Sequence, residues 1–465
     1  MSVEMQLDTQ ALEALRTAVR GQVLIPSDEG YEEARHVYNA MIDRRPAAVV
    51  GCVDVADVIA AVRFGREQGV DTAIRGGGHN GAGLGTVEDG LVIDLSGMRG
   101  VRVDPSARTA QIAGGSLLGD VDHATHAFGL ATPAGTISTT GAGGLVLGGG
   151  IGHLTRKCGL SIDNLLAADV VLADGSLVRA SENENTDLFW ALRGGGGNFG
   201  VVTSLTMRLH EVGTVVAGPM LWPLESAGDV LRWYRDFIGS APEDLGGFFA
   251  FLSVPPAPPF PEELHLRKMG GIVWCWAGDP DRADEVLAEA RAQPGLALDG
   301  VQPMPYPVLQ SAFDPLYPAG EQWYWRTHIF EEISDDAVER HLEFAEKLPT
   351  WKSTTHLYPV DGAAQRVGEG DTPWPYRGAG WSQAIVGVDP DPAGAGAIRQ
   401  WTIDYWDALR PYASGGGAYV NFMMEEGQDR VRASYGQNYD RLAQIKAKYD
   451  PDNFFHVNQN VLPAA

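Results

Sequence analysis

Apolar residues recur along the chain with two spacings, one typical of helices and one typical of strands. Helical spacing predicts amphipathic helices over 9–19, 30–42, 118–128 and 186–192, and a helix between the N-cap Asp54 and Gly69. Short apolar runs bounded by turn residues predict strands over 47–53, 71–74, 91–95, 101–104, 109–113, 170–173, 176–178 and 201–209. We therefore expect the first 210 residues to form one domain of mixed helices and strands.

The pattern changes near residue 211, where glycine becomes rarer and tryptophan, tyrosine and proline become more frequent. From there on, predicted strands over 271–276, 323–330, 354–359 and 382–388 alternate with predicted helices over 226–238, 281–292, 335–347 and 396–409. This order predicts a second, α+β domain over 211–414. The segment 415–465 is again rich in glycine and carries a predicted helix over 438–449, and we expect it to return to the first domain.

Glycine is dense in three stretches, 75–81, 131–152 and 193–200. Glycine adopts positive φ and lets a ligand approach the backbone closely, and consecutive N–H groups in such a turn form an anion site. The stretch 131–152 contains so much glycine that neither a helix nor a strand is expected there. These stretches therefore predict backbone that lies against a ligand.

Two segments match the pattern G-x-G-x-x-G, Gly76–Gly81 and Gly195–Gly200. The pattern binds a dinucleotide when a strand precedes it and a helix follows it. The first segment is followed by more glycine and a strand, and the second follows a helix and begins a strand. The order of elements thus argues against Rossmann-type NAD binding, and no phosphate-binding G-x-x-x-x-G-K-[ST] sequence is present.

Charge and cysteine content argue against several other classes of function. The net charge is −25 and no basic cluster is present, which disfavours a nucleic-acid partner. The three cysteines are far apart, so they indicate neither a disulfide framework nor a metal site. Residues 1–19 do not have the pattern of a signal peptide and no apolar run of 18 residues is present, so we expect a cytoplasmic protein with no membrane partner. The excess of arginine over lysine is typical of a bacterial genome of high GC content.

Five spaced motifs resemble those of the berberine-bridge-enzyme-like branch of the vanillyl-alcohol oxidase flavoproteins. They are Arg75-Gly76-Gly77-Gly78-His79, the glycine block 141–152, Arg156–Asn164, Arg193–Gly200 and the tail Tyr449–Asn460. The resemblance covers nearly the whole chain in order, and is closest to bacterial members that hold the flavin through one covalent bond. It implies an α+β fold, with a two-lobed PCMH-type FAD-binding domain over 1–210 and a substrate domain over 211–414 built on a large antiparallel sheet.

The resemblance also implies how FAD is held. His79 takes the position of the histidine that bonds the 8α-methyl group of the flavin. Ile137 stands where many members carry a second, cysteinyl bond, so attachment through His79 alone is expected, and Cys158 is expected to be a packed thiol. The residues expected to contact FAD are Arg75, Gly76, Gly77, Gly78, His79, Asn80, Gly83, Thr132, Pro133, Gly135, Ser138, Thr140, Gly143, Gly144, Val146, Gly149, Gly150, Ile151, Gly152, Gly200, Val201, Val202, Asn458 and Asn460.

Flavin oxidation needs a base that takes a proton from an O–H or N–H group while hydride passes to flavin N5. Members often use the last residue of a Tyr-x-Asn-Tyr pattern, which reads Tyr419-Val420-Asn421-Phe422 here and so lacks that tyrosine. His356 is the substitute candidate, because it lies on a predicted strand and histidine titrates near neutrality. A purely structural histidine is the alternative. The residues expected around the reacting atoms are His356, Tyr324, Tyr419 and Asn421, with His328 and His153 as weaker candidates.

The activity implied by the resemblance is that of an FAD-dependent oxidase acting on a C–O or C–N centre of a small or medium organic molecule. Oxygen reoxidises the flavin and gives hydrogen peroxide; Val146 stands at the oxygen gatekeeper position and Thr140 near the expected flavin N5 edge. The alternatives are a dehydrogenase or oxidative cyclase, a flavin-N5-oxide oxygenase, and a flavin-loaded binding protein that has lost turnover. The expected partners are the substrate and molecular oxygen, and the expected assembly is a monomer or a homodimer.

Overall fold

The computed structural model describes residues 7–465. Residues 1–6, which belong to the N-terminal segment expected not to be a signal peptide, lie outside the described residues. The chain begins with α1 (Thr9–Ala18), β1 (Val23–Leu24), α2 (Tyr31–Arg35), β2 (Ala48–Gly51), α3 (Val55–Gln68), β3 (Thr72–Arg75) and β4 (Leu91–Asp94). Strands β2 and β3 both pair in parallel with β4, while β1 pairs antiparallel with β2. The buried face of α3 packs on these strands, which fixes the end of β3 where the first glycine stretch begins.

A second sheet is built from the elements that follow. They are β5 (Val101–Asp104), β6 (Thr109–Ala113), α4 (Leu118–His126), β7 (Leu130–Ala131), α5 (Ala142–Gly148), α6 (Thr155–Cys158), β8 (Leu165–Val171), β9 (Leu177–Ser181), α7 (Thr186–Leu192), β10 (Val201–Arg208) and β11 (His210–Glu211). The sheet is antiparallel with the order β5–β6–β10–β8–β9, and β7 pairs separately with β11. Its core includes α5 and α7, so the second and third glycine stretches border this lobe.

The next part of the chain forms a large antiparallel sheet. Its elements are β12 (Thr214–Pro223), α8 (Leu224–Ile238), β13 (Leu245–Ser253), β14 (Lys268–Trp276), α9 (Ala283–Arg291), β15 (Leu298–Asp299), β16 (Gln302–Pro305), α10 (Tyr306–Gln310), β17 (Gln322–Arg326), β18 (Ile329–Phe330), α11 (Asp335–Ala345), β19 (Thr354–Pro359), β20 (Trp381–Asp389) and α12 (Ala395–Leu409). The strand order is β15–β12–β14–β13–β19–β20–β17, with β16 on β12 and β18 on β20. This arrangement confirms the α+β fold with a large antiparallel sheet.

The two faces of the large sheet have different neighbours. Helices α8, α11 and α12 cover one face and form an aromatic-rich core with it. The other face packs against residues of the second glycine stretch and of the C-terminal segment, including Ile151 and Tyr419. On β19, alternation places Leu357 in the helix-covered core and Tyr358 on the opposite face. The sheet therefore presents every second side chain of β19 toward the glycine-rich loops.

The C-terminal segment carries α13 (Gln428–Tyr435) and α14 (Tyr439–Tyr449). Lys446 on α14 is fully buried, and its ammonium group donates to the carboxylate of Asp450 at 2.7 Å, to Asn198 O at 2.6 Å and to Phe455 O at 2.8 Å. Asn198 in turn accepts from Val461 N–H at 2.8 Å. These bonds hold the tail beside the third glycine stretch. None of the helices within residues 7–465 combines the length and apolar character that crossing a membrane requires.

Three of the differences between the structure and the predicted elements have a clear physical reason. The predicted helix over 30–42 is wrong beyond α2, because the backbone at His36 is extended and the following residues bond to other loops. The glycine block was expected to contain no helix, yet it contains α5, whose glycines let its backbone approach neighbouring loops. Strands β12 and β13 were missed, because glycine and proline interrupt their apolar runs. In each case tertiary contacts override local propensity.

The buried Lys446–Asp450 pair gives the first prediction. Replacing Lys446 with Ala leaves Asp450 buried without its cation, so we expect the free energy of unfolding to fall by about 3–5 kcal/mol. Urea denaturation measures this change. The matched control is Lys448→Ala, which removes an exposed pair with Asp187 and should cost no more than about 1 kcal/mol. Equal losses of unfolding free energy in the two variants would show that burial does not determine how much an ion pair stabilises this fold.

Candidate active site

A large cavity lies between the glycine-rich loops and the open face of the large sheet. On the loop side its lining includes Arg75, Gly76, Gly77, Gly78, His79, Asn80, Gly135, Thr136, Ile137, Thr140, Gly143, Gly144, Ile151, Gly200 and Val202. On the sheet side it includes Trp323, Trp325, Thr354, His356, Tyr358, Ala384 and Val386, and from the C-terminal segment Tyr419, Asn421, Phe422 and Asn458. The structure thus brings most of the sequence-predicted site residues to one cavity.

The loop that follows β3 begins with an arginine whose charge is already paired. The Arg75 guanidinium donates to Asp94 Oδ2 at 2.9 Å, to Ala34 O at 2.5 Å and to His36 O at 3.2 Å. Its side chain is buried and cannot turn toward a ligand without breaking these bonds. Arg75 therefore holds the start of the loop, and the anion-binding capacity of this region lies in the backbone.

The backbone amides of residues 76–81 are free to bind an anion. Among the described residues, no protein acceptor is found for the N–H groups of this segment. Gly78 has a φ of 68°, which glycine adopts at little cost. Successive free amides in such a turn form a concave anion site. In the C-terminal segment, the buried Oδ1 of Asn458, which also lines the cavity, has no partner among the described residues and can accept from a ligand N–H or O–H group.

The first two glycine stretches touch through their backbones. A Cβ added at Gly77 would lie 2.3 Å from Gly141 N and 2.6 Å from Gly141 Cα, closer than any real side chain allows. Only glycine permits this approach, which closes the cavity around the amides of the first stretch. Free amides, glycine walls and an unpaired amide oxygen together fit a dinucleotide phosphate and its ring systems, so the residues present fit FAD.

His79 stands at the centre of the loop side. Its Nε2 lies 3.0 Å from Thr139 Oγ1 and its Nδ1 lies 3.4 Å from Thr140 Oγ1, and its ring stacks on Tyr38 with centroids 3.9 Å apart. Burial lowers the pKa of His79 to about 4, so the ring is neutral at physiological pH. Ile137 lines the same cavity. A neutral, oriented imidazole at this point can act as a nucleophile or a hydrogen-bonding group.

Cys158 is a free thiol that packs against the hydrophobic cluster on the open face of the large sheet. Burial raises the pKa of this thiol to about 12, so it stays protonated and unreactive. It does not line the cavity. These observations agree with the packed thiol expected from the sequence.

His356 faces the cavity from the middle of β19. Its Nδ1 lies 2.8 Å from the hydroxyl of Tyr358 on the same strand, and its ring packs on Phe248 with centroids 4.8 Å apart. Burial lowers the pKa of His356 to about 4, so the ring is neutral. When Nδ1 carries the hydrogen and donates to Tyr358, Nε2 presents a lone pair and can accept a proton. This arrangement can serve as a general base.

Tyr419 and Asn421 line the cavity but have structural bonds. The Tyr419 hydroxyl accepts from Gly150 N–H at 2.7 Å and from Asn421 Nδ2 at 2.8 Å. Asn421 Nδ2 also donates to Leu145 O at 3.0 Å. Burial raises the pKa of Tyr419 to about 12, so a phenolate is disfavoured. Both residues hold the glycine block in place, and neither is arranged as the base.

Three other sequence-predicted candidates do not line the cavity. Tyr324 was placed near the reacting atoms, but strand alternation turns its neighbours Trp323 and Trp325 to the cavity and Tyr324 to the opposite face, against α12. His328 stacks on an indole, and its Nε2 lies 2.8 Å from Trp406 O. His153 is buried behind Phe248. The structure therefore places these three residues away from the lining, and a role near the reacting atoms stays a prediction for each of them.

Several residues expected to contact FAD also stand behind the lining. Ser138 is drawn away because its N–H and hydroxyl both donate to the Asp314 carboxylate. Val146 packs into the core of the second lobe, while α5 turns Gly143 and Gly144 to the cavity. Asn460 lines a neighbouring cleft. The expected FAD-contact residues that are not part of the lining are Gly83, Thr132, Pro133, Ser138, Val146, Gly149, Gly150, Gly152, Val201 and Asn460, and their contacts with FAD stay predictions.

Sequence reasoning missed part of the sheet-side wall. Trp323, Trp325 and Val386 line the cavity together with Tyr38 and Tyr317. The alternating aromatic residues of β17 were a usable signal, because positions 323 and 325 must share one face of a strand. No sequence pattern indicated that Tyr38 lines the cavity, because the predicted helix over 30–42 included it and the structure has no helix there.

Comparisons with known proteins agree with this geometry. Residues 46–181 match a family described as FAD binding domain, and residues 418–462 match a family described as berberine and berberine like. The chain is 37% identical to (R)-6-hydroxynicotine oxidase of Paenarthrobacter nicotinovorans, covering 96% of this chain and 97% of that protein. It is 30% identical to an FAD-linked oxidoreductase of Dictyostelium discoideum, covering 98% and 97%. The fold matches the crystal structure of 6-hydroxy-D-nicotine oxidase from Arthrobacter nicotinovorans, with a TM-score of 0.85, 25% identity and coverage of 96% and 98%.

The backbone contact between the glycine stretches gives the second prediction. Replacing Gly77 with Ala forces the two loops apart, so we expect affinity for FAD to fall by a factor on the order of ten or more, equivalent to at least about 1.4 kcal/mol. Titration of flavin-free protein with FAD in a His79→Ala background, where binding stays reversible, measures the change by flavin fluorescence. Gly100→Ala is the control, since a Cβ there meets nothing within 4 Å. Unchanged affinity in the Gly77 variant would contradict the assignment of this contact to the FAD site.

Proposed function

The chain belongs to the berberine-like family of FAD-linked oxidoreductases, and we propose that it is an oxidase whose flavin is bonded to His79 and whose base is His356. FAD, when bound, supplies the acceptor for a hydride from the substrate. The observation that carries the proposal is that two neutral histidines line one cavity, His79 from the loops and His356 from the sheet. The overall reaction oxidises a C–O or C–N centre and reduces dioxygen to hydrogen peroxide.

His79 is the proposed attachment point because of its placement. It follows the free amides of residues 76–78, and its neutral ring has a nitrogen available for bond formation. The neighbouring hydroxyl groups of Thr139 and Thr140 can exchange their hydrogen bonds with the ring as that bond forms. Ile137 in the same cavity offers no second nucleophile, so one bond is proposed.

His356 is the proposed base, and Tyr358 is its orienting partner. The tyrosine hydroxyl fixes the ring through Nδ1, which leaves Nε2 as the atom that takes the proton from substrate O–H or N–H. Phe248 packs against the ring with centroids 4.8 Å apart, and Tyr358 stands edge-on to it with centroids 5.7 Å apart. Phe422 stands 6.1 Å from Tyr358 between ring centroids and lines the cavity without a polar group. We therefore assign proton transfer to His356, on the sheet side of the cavity.

The cavity favours an uncharged substrate with a flat apolar part. Arg75 is the only charged residue of its described lining, and that charge is paired with Asp94. The sheet side combines indole and aliphatic surfaces with the hydroxyl and imidazole groups of β19. Burying an unpaired carboxylate or ammonium group there would be costly. We propose a neutral molecule, and we keep a cytoplasmic location, a bacterial source and a monomer or homodimer as predictions.

Covalent attachment gives the third prediction. Wild-type protein precipitated with acid should retain its yellow flavin, because the bond to His79 survives unfolding. The His79→Ala variant should bind FAD but release it on precipitation, since no nucleophile remains at that position. Absorbance of the washed pellet and the supernatant measures both. Release of all flavin from wild-type protein would refute the attachment.

The base role gives the fourth prediction. His356→Asn should slow anaerobic flavin reduction by about 10²-fold or more, the typical scale for loss of a general base. The matched control is His341→Asn, which alters a comparable pair, with Tyr405 at 2.6 Å, on the helix-covered face. Stopped-flow absorbance measures both rates. Equal reduction rates in wild type and the His356 variant would reject the role.

The pH dependence of flavin reduction follows from the pKa of His356. The pKa of His356 is lowered to about 4, so the base is neutral and competent above that value and is lost as the pH falls through it. Between the unfolded pKa near 6.5 and the folded value, the unfolded chain binds more protons, so acidification in this window also destabilises the fold. The reduction rate of the folded enzyme should therefore be flat at neutral pH and fall near pH 4. A fall near pH 6.5 would contradict a buried, neutral base.

Substrate charge gives a further prediction. Benzyl alcohol derivatives should perturb the flavin spectrum with at least about tenfold lower Kd than mandelate, because the carboxylate would lose its hydration in the cavity. Glucose serves as a neutral but polar control and should also bind weakly. Peroxide release, measured with a coupled peroxidase, separates an oxidase from a dehydrogenase. Tighter binding of mandelate than of its neutral analogues would contradict the substrate class.

A further inference from the structure

Residues 38–40 join the loop that carries His79 to the edge of the large sheet, and we call them the bridging segment. Tyr38 N–H donates to Gly78 O at 3.1 Å, and the Tyr38 hydroxyl donates to Tyr317 O at 2.7 Å. In the other direction, Gly320 N–H donates to Tyr38 O at 3.0 Å, and Ala40 N–H donates to Glu321 O at 2.9 Å. The segment thus bonds to the flavin side and to the substrate side of the cavity.

Asn39 makes the same connection through its side chain. It is completely buried, and its Nδ2 donates to Gly81 O at 2.8 Å and to Trp323 O at 3.0 Å. Its Oδ1 accepts from Trp323 N–H at 3.1 Å. Gly81 lies two residues after His79, and Trp323 lines the cavity. One side chain therefore fixes the distance between the histidine loop and the sheet-side wall.

The loop and the wall also touch directly. A Cβ added at Gly81 would lie 2.1–2.4 Å from the indole of Trp325, so the glycine backbone rests on that ring. Trp325 belongs to β17 and lines the cavity with Trp323. Loop and wall can therefore move apart only by breaking this contact together with the bonds of the bridging segment.

Tyr38 adds a contact to the His79 ring itself. The two rings stack with centroids 3.9 Å apart and planes inclined by 21°, and Tyr38 is only 6% exposed. The threonine hydroxyls contact the nitrogens of His79, whereas Tyr38 is the one aromatic residue of the described chain that stacks on a face of the imidazole. Stacking of this kind fixes the plane of the ring and so the direction of its nitrogen lone pair.

We infer that Tyr38 is a positioning residue that aligns His79 for bond formation with flavin, held in place by the bridging segment. The inference rests on the attachment proposed above. Attachment joins a His79 nitrogen to the methyl carbon of the flavin and removes one hydrogen from each. The two electrons and two protons released pass to dioxygen, which becomes hydrogen peroxide. The reaction needs the nitrogen aimed at that carbon, and a displacement of about 1 Å can cost 10²-fold in rate.

The test follows formation of acid-stable flavin in full-length protein prepared without flavin and then mixed with FAD in air. Tyr38→Leu should slow bond formation by about tenfold or more, while Tyr38→Phe, which keeps the ring, should react at nearly the wild-type rate. Asn39→Ala, which loosens the loop without touching the ring, should also be slower. Attachment rates are compared at FAD concentrations that saturate each protein, as determined from the non-covalent affinity of His79→Ala alone and combined with Tyr38→Leu, so that slower attachment at saturation reports alignment and not binding.

Tyr31→Leu is the matched control. Tyr31 is a buried tyrosine of the same lobe whose hydroxyl donates to Pro46 O at 2.6 Å, and it makes no contact with His79. It should lower the melting temperature without slowing attachment. Wild-type rates in both Tyr38→Leu and Asn39→Ala, or equal slowing in Tyr31→Leu, would overturn the inference. Absence of acid-stable flavin in wild-type protein would overturn the attachment itself and this inference with it, whereas flavin reduction by substrate would still support the oxidase.

Discussion

The close contact of the Gly77 and Gly141 backbones is the constraint on which the site depends. No side chain fits between these loops, so the approach requires glycine at both positions. The contact closes the cavity around the free amides that follow β3, and His79 lies two residues after Gly77 in the same lining. The rest of the loop architecture supports this approach, because Arg75 holds the start of one loop and Tyr419 holds the other at Gly150.

The sheet side contributes the chemistry through strand alternation. One face of the large sheet packs against helices. The other face places His356 and Tyr358 opposite the glycine-rich loops. Burial keeps both histidines of the cavity neutral, so neither attracts an anionic substrate and each retains a nitrogen lone pair. A protein with a net charge of −25 thus encloses a cavity in which Arg75, the one charged residue of the described lining, is paired with Asp94. The net charge of the whole protein therefore does not determine which charge its cavity accepts.

Much of the fold could be predicted, because apolar periodicity is a local signal and the glycine motifs resemble a known family in order. The predicted α+β class and His79 loop follow from such signals. The placement of individual side chains depended on contacts distant in sequence. Tyr324 packs against α12 and Val146 packs into the core of the second lobe, and neither position follows from the local sequence pattern. Tyr38 could not be found, since its role arises from partners near residues 79 and 317. Domain limits near 210 and 414 stay predictions.

The crystal structure of the FAD-loaded protein tests the central claim most directly, which is that flavin and substrate meet between His79 and His356. The account predicts continuous electron density from a His79 ring nitrogen to the flavin ring. It also predicts His356 Nε2 facing the substrate side of that ring, with the pyrophosphate on the amides of residues 76–81. Density for the flavin ring outside this cavity, or His356 separated from it by the sheet, would contradict the account.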